Sequence, residues 1–123
     1  MRIVETPVFS RRVAELLSDD EYRVLQLRLL HSPETGRVIV RTGGARKVRW
    51  ALPRTGKSRG VRVIYYYAAA DGVIYMLAAY AKTEQRDLTS SQKNALRMII
   101  AGFVGLTGLA SRLDTVSRAN LHA

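Results

Sequence analysis

The chain contains no cysteine and only two histidines. The lack of cysteine excludes disulfide bonds and thiolate metal sites, and it is typical of a protein that works in a reducing cytoplasm. His31 falls at the end of a predicted helix and His122 in the C-terminal tail, so we interpret both as solvated surface residues. No other group of residues has the spacing of a metal site. We therefore expect neither a metal nor another cofactor.

Long apolar runs are also lacking. The first residues, MRIVETPVF, have no apolar core of the kind found in signal peptides, and the run from Ile99 to Ala110 is too short and too rich in glycine to span a bilayer. We expect a cytoplasmic protein that makes no membrane contact. With 123 residues, 47% of them hydrophobic, the chain is long enough for one core and too short for two.

Acidic residues are scarce, with 10 against 20 basic ones, which gives a formal net charge of +10. They are absent altogether from Thr35 to Ala70, an interval that holds nine of the basic residues. A basic excess with this pattern is the electrostatic footprint of a protein that binds a phosphate backbone or an acidic protein. Its centre is the stretch from Gly43 to Tyr67, which has seven lysines and arginines. This stretch is expected to bind a polyanion.

The basic stretch has the pattern of two strands joined by a loop. Ala45 to Leu52 alternates basic or small residues with apolar ones, and Val61 to Tyr67 is β-branched or aromatic apart from Arg62. Pro53 to Gly60 is predicted to be the hairpin loop between them. Such a hairpin would gather basic side chains from both strands and from the loop tip, namely Lys47, Arg49, Arg62, Arg54, Lys57 and Arg59.

Helices are predicted on both sides of this hairpin. Thr6-Pro7 is a typical helix start, and Ser18 with Glu21 matches a capping box that begins a second helix. A second match, Thr89 to Gln92, begins a closing helix from about Ser90 to Val104.

Three further strands complete the prediction. They are a short edge strand at Arg2 to Glu5, a short strand at Arg37 to Arg41, and a nearly all-apolar central strand at Val73 to Ala81. The result is an α+β fold with an N-terminal helical hairpin, an antiparallel meander sheet of about four to five strands and a C-terminal helix. Residues 1–104 form the domain. Residues 105–123 are an extension that is either a further amphipathic helix or a frayed tail.

At several places the chain resembles the RelE/HigB family of toxins from bacterial toxin–antitoxin pairs, especially the HigB-like branch. The resemblance covers roughly Val4 to Val104. It is carried by Gly43-Gly44 with Arg46-Lys47-x-Arg49, by Arg62-Val63-Ile64-Tyr65-Tyr66, and by Tyr80-Ala81-Lys82-x-Glu84 followed by Asp87-Leu88. It implies a RelE-like α+β toxin that enters the ribosomal A site, cuts the mRNA there, and is neutralised by a cognate helix-turn-helix antitoxin.

RNA cleavage by attack of the ribose 2′-hydroxyl needs a base, positive charge for the phosphorane, and help for the departing 5′-oxygen. Without the usual histidine pair, these roles fall to lysine, arginine, tyrosine and carboxylates. Lys47, between Arg46 and Arg49 and opposite Arg62, is a candidate base because neighbouring cations favour a neutral lysine. Arg62 would clamp the scissile phosphate, as the resemblance also implies. The alternative is a solvated arginine at the sheet rim.

Two sets of candidate residues result. The candidate catalytic residues are Lys47, Arg49, Arg62, Lys82 and Glu84. The candidate RNA-binding residues are Arg46, Arg54, Lys57, Arg59, Tyr66, Tyr80 and Arg86. Lys47 and Arg49 share a strand face by alternation. Glu84 would either orient a base or pair with Lys82 on the surface, and Tyr66 or Tyr80 would stack on a base.

Two functions without catalysis remain open. ParE-type toxins share the fold and bind DNA gyrase, but they lack the concentrated basic face. A ribosome-binding or RNA-binding module is the other possibility, with Tyr65 to Tyr67 as a stacking platform. Consecutive strand residues cannot all point one way, so at least one of these tyrosines is expected in the core.

Overall fold

The computed structural model describes residues 1–51 and 60–105. In chain order the elements are β1 (Arg2–Glu5), α1 (Pro7–Leu16), α2 (Asp19–His31), β2 (Arg37–Val38), β3 (Arg46–Ala51), β4 (Gly60–Ala68), a 3₁₀ turn (Ala69–Asp71), β5 (Val73–Ala81) and α3 (Ser90–Gly105). Within these residues the fold is α+β, with three helices and a five-stranded mixed sheet. The predicted loop residues before Gly60 and the extension after Gly105 lie outside the described residues.

The strands lie in the order β1-β5-β4-β3-β2. Each neighbouring pair from β2 to β5 is antiparallel, whereas β1 pairs with β5 in parallel, with Arg2 beside Val73. The prediction of an edge strand at Arg2–Glu5 is confirmed, but the prediction of a purely antiparallel sheet is wrong. Parallel pairing needs a long crossover connection, and the helices between β1 and the rest of the sheet provide one.

The strand predicted after α2 is shorter than expected, since only Arg37–Val38 pairs with β3. The chain then leaves the sheet in a turn that Thr42 closes. The buried hydroxyl of Thr42 donates to the carbonyl of Ile39 at 2.7 Å and accepts from the N–H of Ala45 at 3.0 Å. Gly43 follows with a φ of 78°, which a residue without a Cβ adopts at little cost.

The helix starts are confirmed. Thr6 caps α1 and accepts from the N–H of Phe9, and Pro7 is the first helical residue. The capping box at Ser18 is complete, because both reciprocal hydrogen bonds are present. At α3 the N–H of Gln92 donates to the Thr89 hydroxyl, and the Gln92 side chain accepts from the Thr89 N–H. No helix in the described ranges is long and apolar enough to cross a bilayer.

The two faces of the sheet carry different cores. The face covered by α1 and α2, here called the α1–α2 face, has the larger cluster, which is made of Phe9, Val13, Leu17, Leu25, Leu29, Val48, Val61, Val63, Tyr65, Ile74, Met76 and Ala79. The opposite face, here called the α3 face, packs against the last helix through Ala45, Ile64, Leu77, Tyr80, Leu96 and Ile100. The smaller cluster leaves part of the α3 face to charged residues.

Candidate nucleic-acid interface

Neighbouring strands place basic side chains in a row across the α3 face. Arg49 of β3 lies directly opposite Arg62 of β4, and Arg62 lies opposite Tyr80 of β5. Directly opposed residues of antiparallel strands point to the same face, so these three side chains are neighbours. Lys47 is two residues from Arg49 on the same strand and shares its face. We refer to Lys47, Arg49 and Arg62 as the basic cluster.

The register corrects one expectation about Lys47. It pairs with Ile64 and not with Arg62, so the prediction that it lies opposite that arginine is wrong. Its Nζ instead lies 3.5 Å from a carboxylate oxygen of Asp87, in the segment between β5 and α3. Lys47 is thus beside a negative charge as well as beside cations. Alternation fixes which side chains share a face, but the residue directly across a strand depends on the register.

Arg62 is a largely buried cation, with only 8% of its surface exposed. One of its terminal nitrogens lies over Gly60, where an added Cβ would approach it to 2.9 Å. Within residues 1–51 and 60–105, neither Arg49 nor Arg62 makes an ion pair. Like charges directly opposite each other are unfavourable, and a buried charge is normally paired. An anion bound between these two arginines would relieve both penalties.

Tyr80 lies at the end of this row, and only 6% of its surface is exposed. Its ring packs in the smaller core cluster with Ile64 and Leu96, so it presents no open face for a base to stack on. Its hydroxyl has no hydrogen-bond partner among the described residues. Burial raises the pKa of this hydroxyl, while the nearby charge of Arg62 opposes the shift. The hydroxyl therefore stays protonated at neutral pH.

The three consecutive tyrosines do not form one surface. Tyr65 is fully buried, and its hydroxyl donates to the carbonyl of Pro33 at 2.8 Å and accepts from the N–H of Gly36 at 2.9 Å. The expectation that one of the three lies in the core is confirmed. Tyr66 packs under α3 with its ring centroid 6.5 Å from that of Phe103, and Tyr67 packs on the α1–α2 face.

Arg46 lies apart from the basic cluster. It donates to the carbonyl oxygens of Glu34 at 3.2 Å and Gly36 at 2.8 Å, and it lies 3.6 Å from the Glu34 carboxylate. These contacts hold the loop after α2 against β3. Contact of Arg46 with RNA stays a prediction.

The residues after β5 are exposed and do not form the expected pair. Glu84 forms an ion pair with Arg12 of α1 and accepts from the backbone N–H of Ala81 at 2.8 Å. Lys82 is exposed, and its backbone N–H donates to the carbonyl of Gly60 at 3.0 Å. Arg86 is also exposed. The structure thus pairs Glu84 with α1 and not with Lys82, and the catalytic roles of both stay predictions.

Three predicted RNA-binding residues, Arg54, Lys57 and Arg59, lie outside the described residues. In the part of the chain that is described, no group of three or more His, Asp or Glu side chains could hold a metal ion. His31 is exposed at the end of α2, as expected for a surface residue.

Sequence reasoning missed two neighbours of the basic cluster, Asp87 and Gly60. Two acids, Glu84 and Asp87, follow β5 within a few residues, and only the path of the chain between β5 and α3 decides which one reaches Lys47. Gly60 matters because a Cβ at this position would contact the Arg62 guanidinium, and the rotamer of Arg62 cannot be predicted from the sequence. The chain matches no protein-family model.

Proposed function

We propose that this protein is the toxin of a bacterial type II toxin–antitoxin pair of the RelE/HigB kind, and that it cleaves mRNA in the ribosomal A site without a metal ion. The observation that carries the proposal is the opposition of Arg49 and Arg62 on one sheet face, with no acidic partner for either in the described residues. A RelE-like arrangement, with an N-terminal helical hairpin and a C-terminal helix, belongs to the same proposal.

The two arginines hold the scissile phosphate. Guanidinium groups bind phosphate oxygens in a bidentate fork, and their fixed positive charge stabilises the extra negative charge of the phosphorane. The partial burial of Arg62 strengthens this interaction, since it excludes water from one side of the guanidinium. Arg49 contributes the second cation from the neighbouring strand.

Lys47 supplies the base. A neutral lysine amine accepts the proton of the 2′-hydroxyl while the 2′-oxygen bonds to phosphorus and the bond to the 5′-oxygen breaks, and the departing 5′-oxygen takes a proton from water to give a 5′-hydroxyl and a 2′,3′-cyclic phosphate. Asp87, at 3.5 Å, orients the amine. A lysine is a less effective base at neutral pH than a histidine, so positioning of the message by the ribosome must supply much of the rate. Free RNA is expected to be a poor substrate.

The natural inhibitor in this proposal is a cognate helix-turn-helix antitoxin with an acidic face. A net charge of +10 attracts such a partner at long range, and the association rate falls as salt increases. We propose that the antitoxin covers the basic cluster or overlaps it, so that it and the message cannot bind together. Hydrogen exchange would test this placement, because protection restricted to residues before Pro33 or after Val104, with Ala45 to Tyr67 unchanged, would contradict it.

Expression of the chain in growing bacteria tests the function. Growth arrest should coincide with cuts inside translated messages, detected by primer extension on a reporter whose start codon is intact. The matched control is the same reporter without a start codon, which should stay whole. Full-length translated message during arrest would contradict the nuclease function.

A non-catalytic RNA-binding module is the second candidate function. The ion pair between Lys47 and Asp87 favours it, because this contact engages the amine that the nuclease function needs for the 2′-hydroxyl. Such a module would bind ribosomes and arrest growth while messages remain whole. Inhibition of gyrase with intact RNA would instead indicate a ParE-like toxin.

A further inference from the structure

Packing on the α3 face does not explain the hydroxyl of Tyr80. Its ring fills a place in the smaller core cluster, and a phenylalanine ring would fill the same place. The hydroxyl oxygen is enclosed and has no hydrogen-bond partner in the described residues. A buried hydroxyl in that state lowers stability, and most such groups in proteins find a partner. The hydroxyl therefore does not stabilise the free protein.

The surroundings of the hydroxyl indicate what it could bind. Tyr80 lies directly across from Arg62, which lies directly across from Arg49. Burial has the largest influence on the pKa of Tyr80 and raises it; of the nearby charges, those of Arg62 and Arg49 lower the pKa and that of Asp87 raises it. The hydroxyl and the two guanidinium groups supply several donors against the single carboxylate of Asp87, and an anion with several acceptor oxygens is the ligand that fits such a set.

We propose that Tyr80 binds a phosphate diester directly, by donating its hydroxyl hydrogen to a non-bridging oxygen of the phosphate that Arg49 and Arg62 hold. The identification of that diester as RNA rests on the proposed function, whereas the binding of a phosphate does not. In the free protein the hydroxyl is enclosed, so the side chains around it must move before a phosphate oxygen can reach it. Tyr80 thereby acts through its hydroxyl and not by stacking its ring on a base.

Burial makes the hydroxyl a reliable donor. Because the pKa of Tyr80 is raised, the hydroxyl remains protonated throughout the physiological range. Desolvation also strengthens a hydrogen bond to a charged acceptor, since no water competes for the proton. The oxygen that is unfavourable in the free protein thus becomes favourable in the complex.

Replacement of the hydroxyl alone tests the proposal. Tyr80→Phe keeps the ring, and Tyr67→Phe is the matched control, because Tyr67 packs on the α1–α2 face. The probe is a 2′-O-methyl trinucleotide, which carries diesters that cannot be cleaved. Its affinity is measured by calorimetric titration in low salt, and the melting temperature of each variant without ligand is measured separately. Tyr80→Phe should bind the probe about tenfold more weakly than the native protein. The control should bind as the native protein does.

The melting temperature provides the second readout. If the hydroxyl has no partner in the free protein, Tyr80→Phe should melt at the same temperature as the native protein or higher. A lower melting temperature would show that the hydroxyl is already satisfied and would overturn the proposal. Native affinity in Tyr80→Phe, or no binding of the probe to the native protein at millimolar concentration, would also overturn it.

The message-cleavage assay separates this proposal from the proposed function. If the native protein cuts translated message and Tyr80→Phe cuts it equally fast, the nuclease function stands and the role of Tyr80 is wrong. If the native protein cuts no message but loses about tenfold in probe affinity on Tyr80→Phe, the phosphate site stands and the nuclease function is wrong.

Discussion

Each face of the sheet buries a tyrosine hydroxyl, and the two hydroxyls differ in their hydrogen bonds. On the α1–α2 face the Tyr65 hydroxyl is buried with two hydrogen-bond partners, the carbonyl of Pro33 and the N–H of Gly36. On the α3 face the Tyr80 hydroxyl is buried with none among the described residues. On the first face the tyrosine hydroxyl is used both as a donor and as an acceptor, which stabilises the fold. Within the described residues, the second face has one hydroxyl without a partner and two arginines without an acidic partner, and groups of this kind are what an anion-binding site requires.

The charges follow the same division. The larger core cluster contains only apolar side chains and Tyr65, and α1 and α2 cover it. On the α3 face, the smaller cluster covers one part of the sheet and the basic cluster occupies another. Repulsion between Arg49 and Arg62 is tolerated there because the rest of the fold supplies the stability. Substitutions on the two faces should therefore separate stability from activity.

The largest effect is expected for Arg62→Ala. Removal of the buried guanidinium should lower message cleavage by about a hundredfold or more, because no other side chain can take its place at the phosphate. The fold should persist, since the substitution also removes a like-charge opposition. Primer extension measures the cleavage, and circular dichroism monitors the fold. Arg11→Ala, on the exposed side of α1, is the control and should cleave message as fast as the native protein. Equal loss in both variants would make Arg62 one basic contact among many.

On the opposite face, Tyr65→Phe should lower the free energy of unfolding by about 1–3 kcal/mol. The substitution removes the donor to Pro33 and leaves the N–H of Gly36 buried without its acceptor. Urea denaturation measures the change, with Tyr80→Phe as the comparison. Cleavage per folded molecule should not change. Equal stability in the two variants would contradict the difference in hydrogen bonding between the Tyr65 and Tyr80 hydroxyls.

Gly60→Ala should move the Arg62 guanidinium without damage to the core. The new Cβ would approach a terminal nitrogen of Arg62 to 2.9 Å, so the flexible end of the arginine must shift. We expect about tenfold slower cleavage from this misplacement and little change in melting temperature. Gly102→Ala is the matched control, because nothing lies within 4 Å of its Cβ position, and it should leave cleavage unchanged. Native activity in Gly60→Ala would show that the arginine position seen here is not the active one.

The smallest effect is expected for Asp87→Asn. Loss of the carboxylate removes the only acid paired with the basic cluster in the described residues, so an oligonucleotide should bind a few-fold more tightly and with a steeper dependence on salt. Stability should change by less than about 1 kcal/mol, because Asp87 is largely exposed. Fluorescence titration at two salt concentrations measures the effect. Weaker binding would mean that the orientation of Lys47 by Asp87 matters more for the ligand than their competition for the amine does.

Local features of this fold were predictable from the sequence, and tertiary ones were not. The caps at Thr6, Ser18 and Thr89 depend on side chains within three residues of each other, so the sequence contains all the information. The shared face of Lys47 and Arg49 follows from strand alternation in the same way.

The parallel pairing of β1 depends instead on where a distant strand lies, and the Lys47–Asp87 contact depends on the path of a loop. The opposition of Arg49 and Arg62 depends on the register, which residues beyond either strand determine. The candidate site was therefore predictable as a set of residue types on one face. The exact neighbours of each side chain were not.

The pairing of β1 with β5 also has a consequence for synthesis of the protein. The strand made first cannot join the sheet until its partner, which begins at Val73, has been made. At the usual 5–20 residues per second, Arg2 waits roughly 4–14 seconds for that partner. Tyr80, on the same late strand, completes the row with Arg49 and Arg62 at this stage. During translation the chain therefore contains the basic residues of the site before Tyr80 has been made. The site forms only when β5 has joined the sheet.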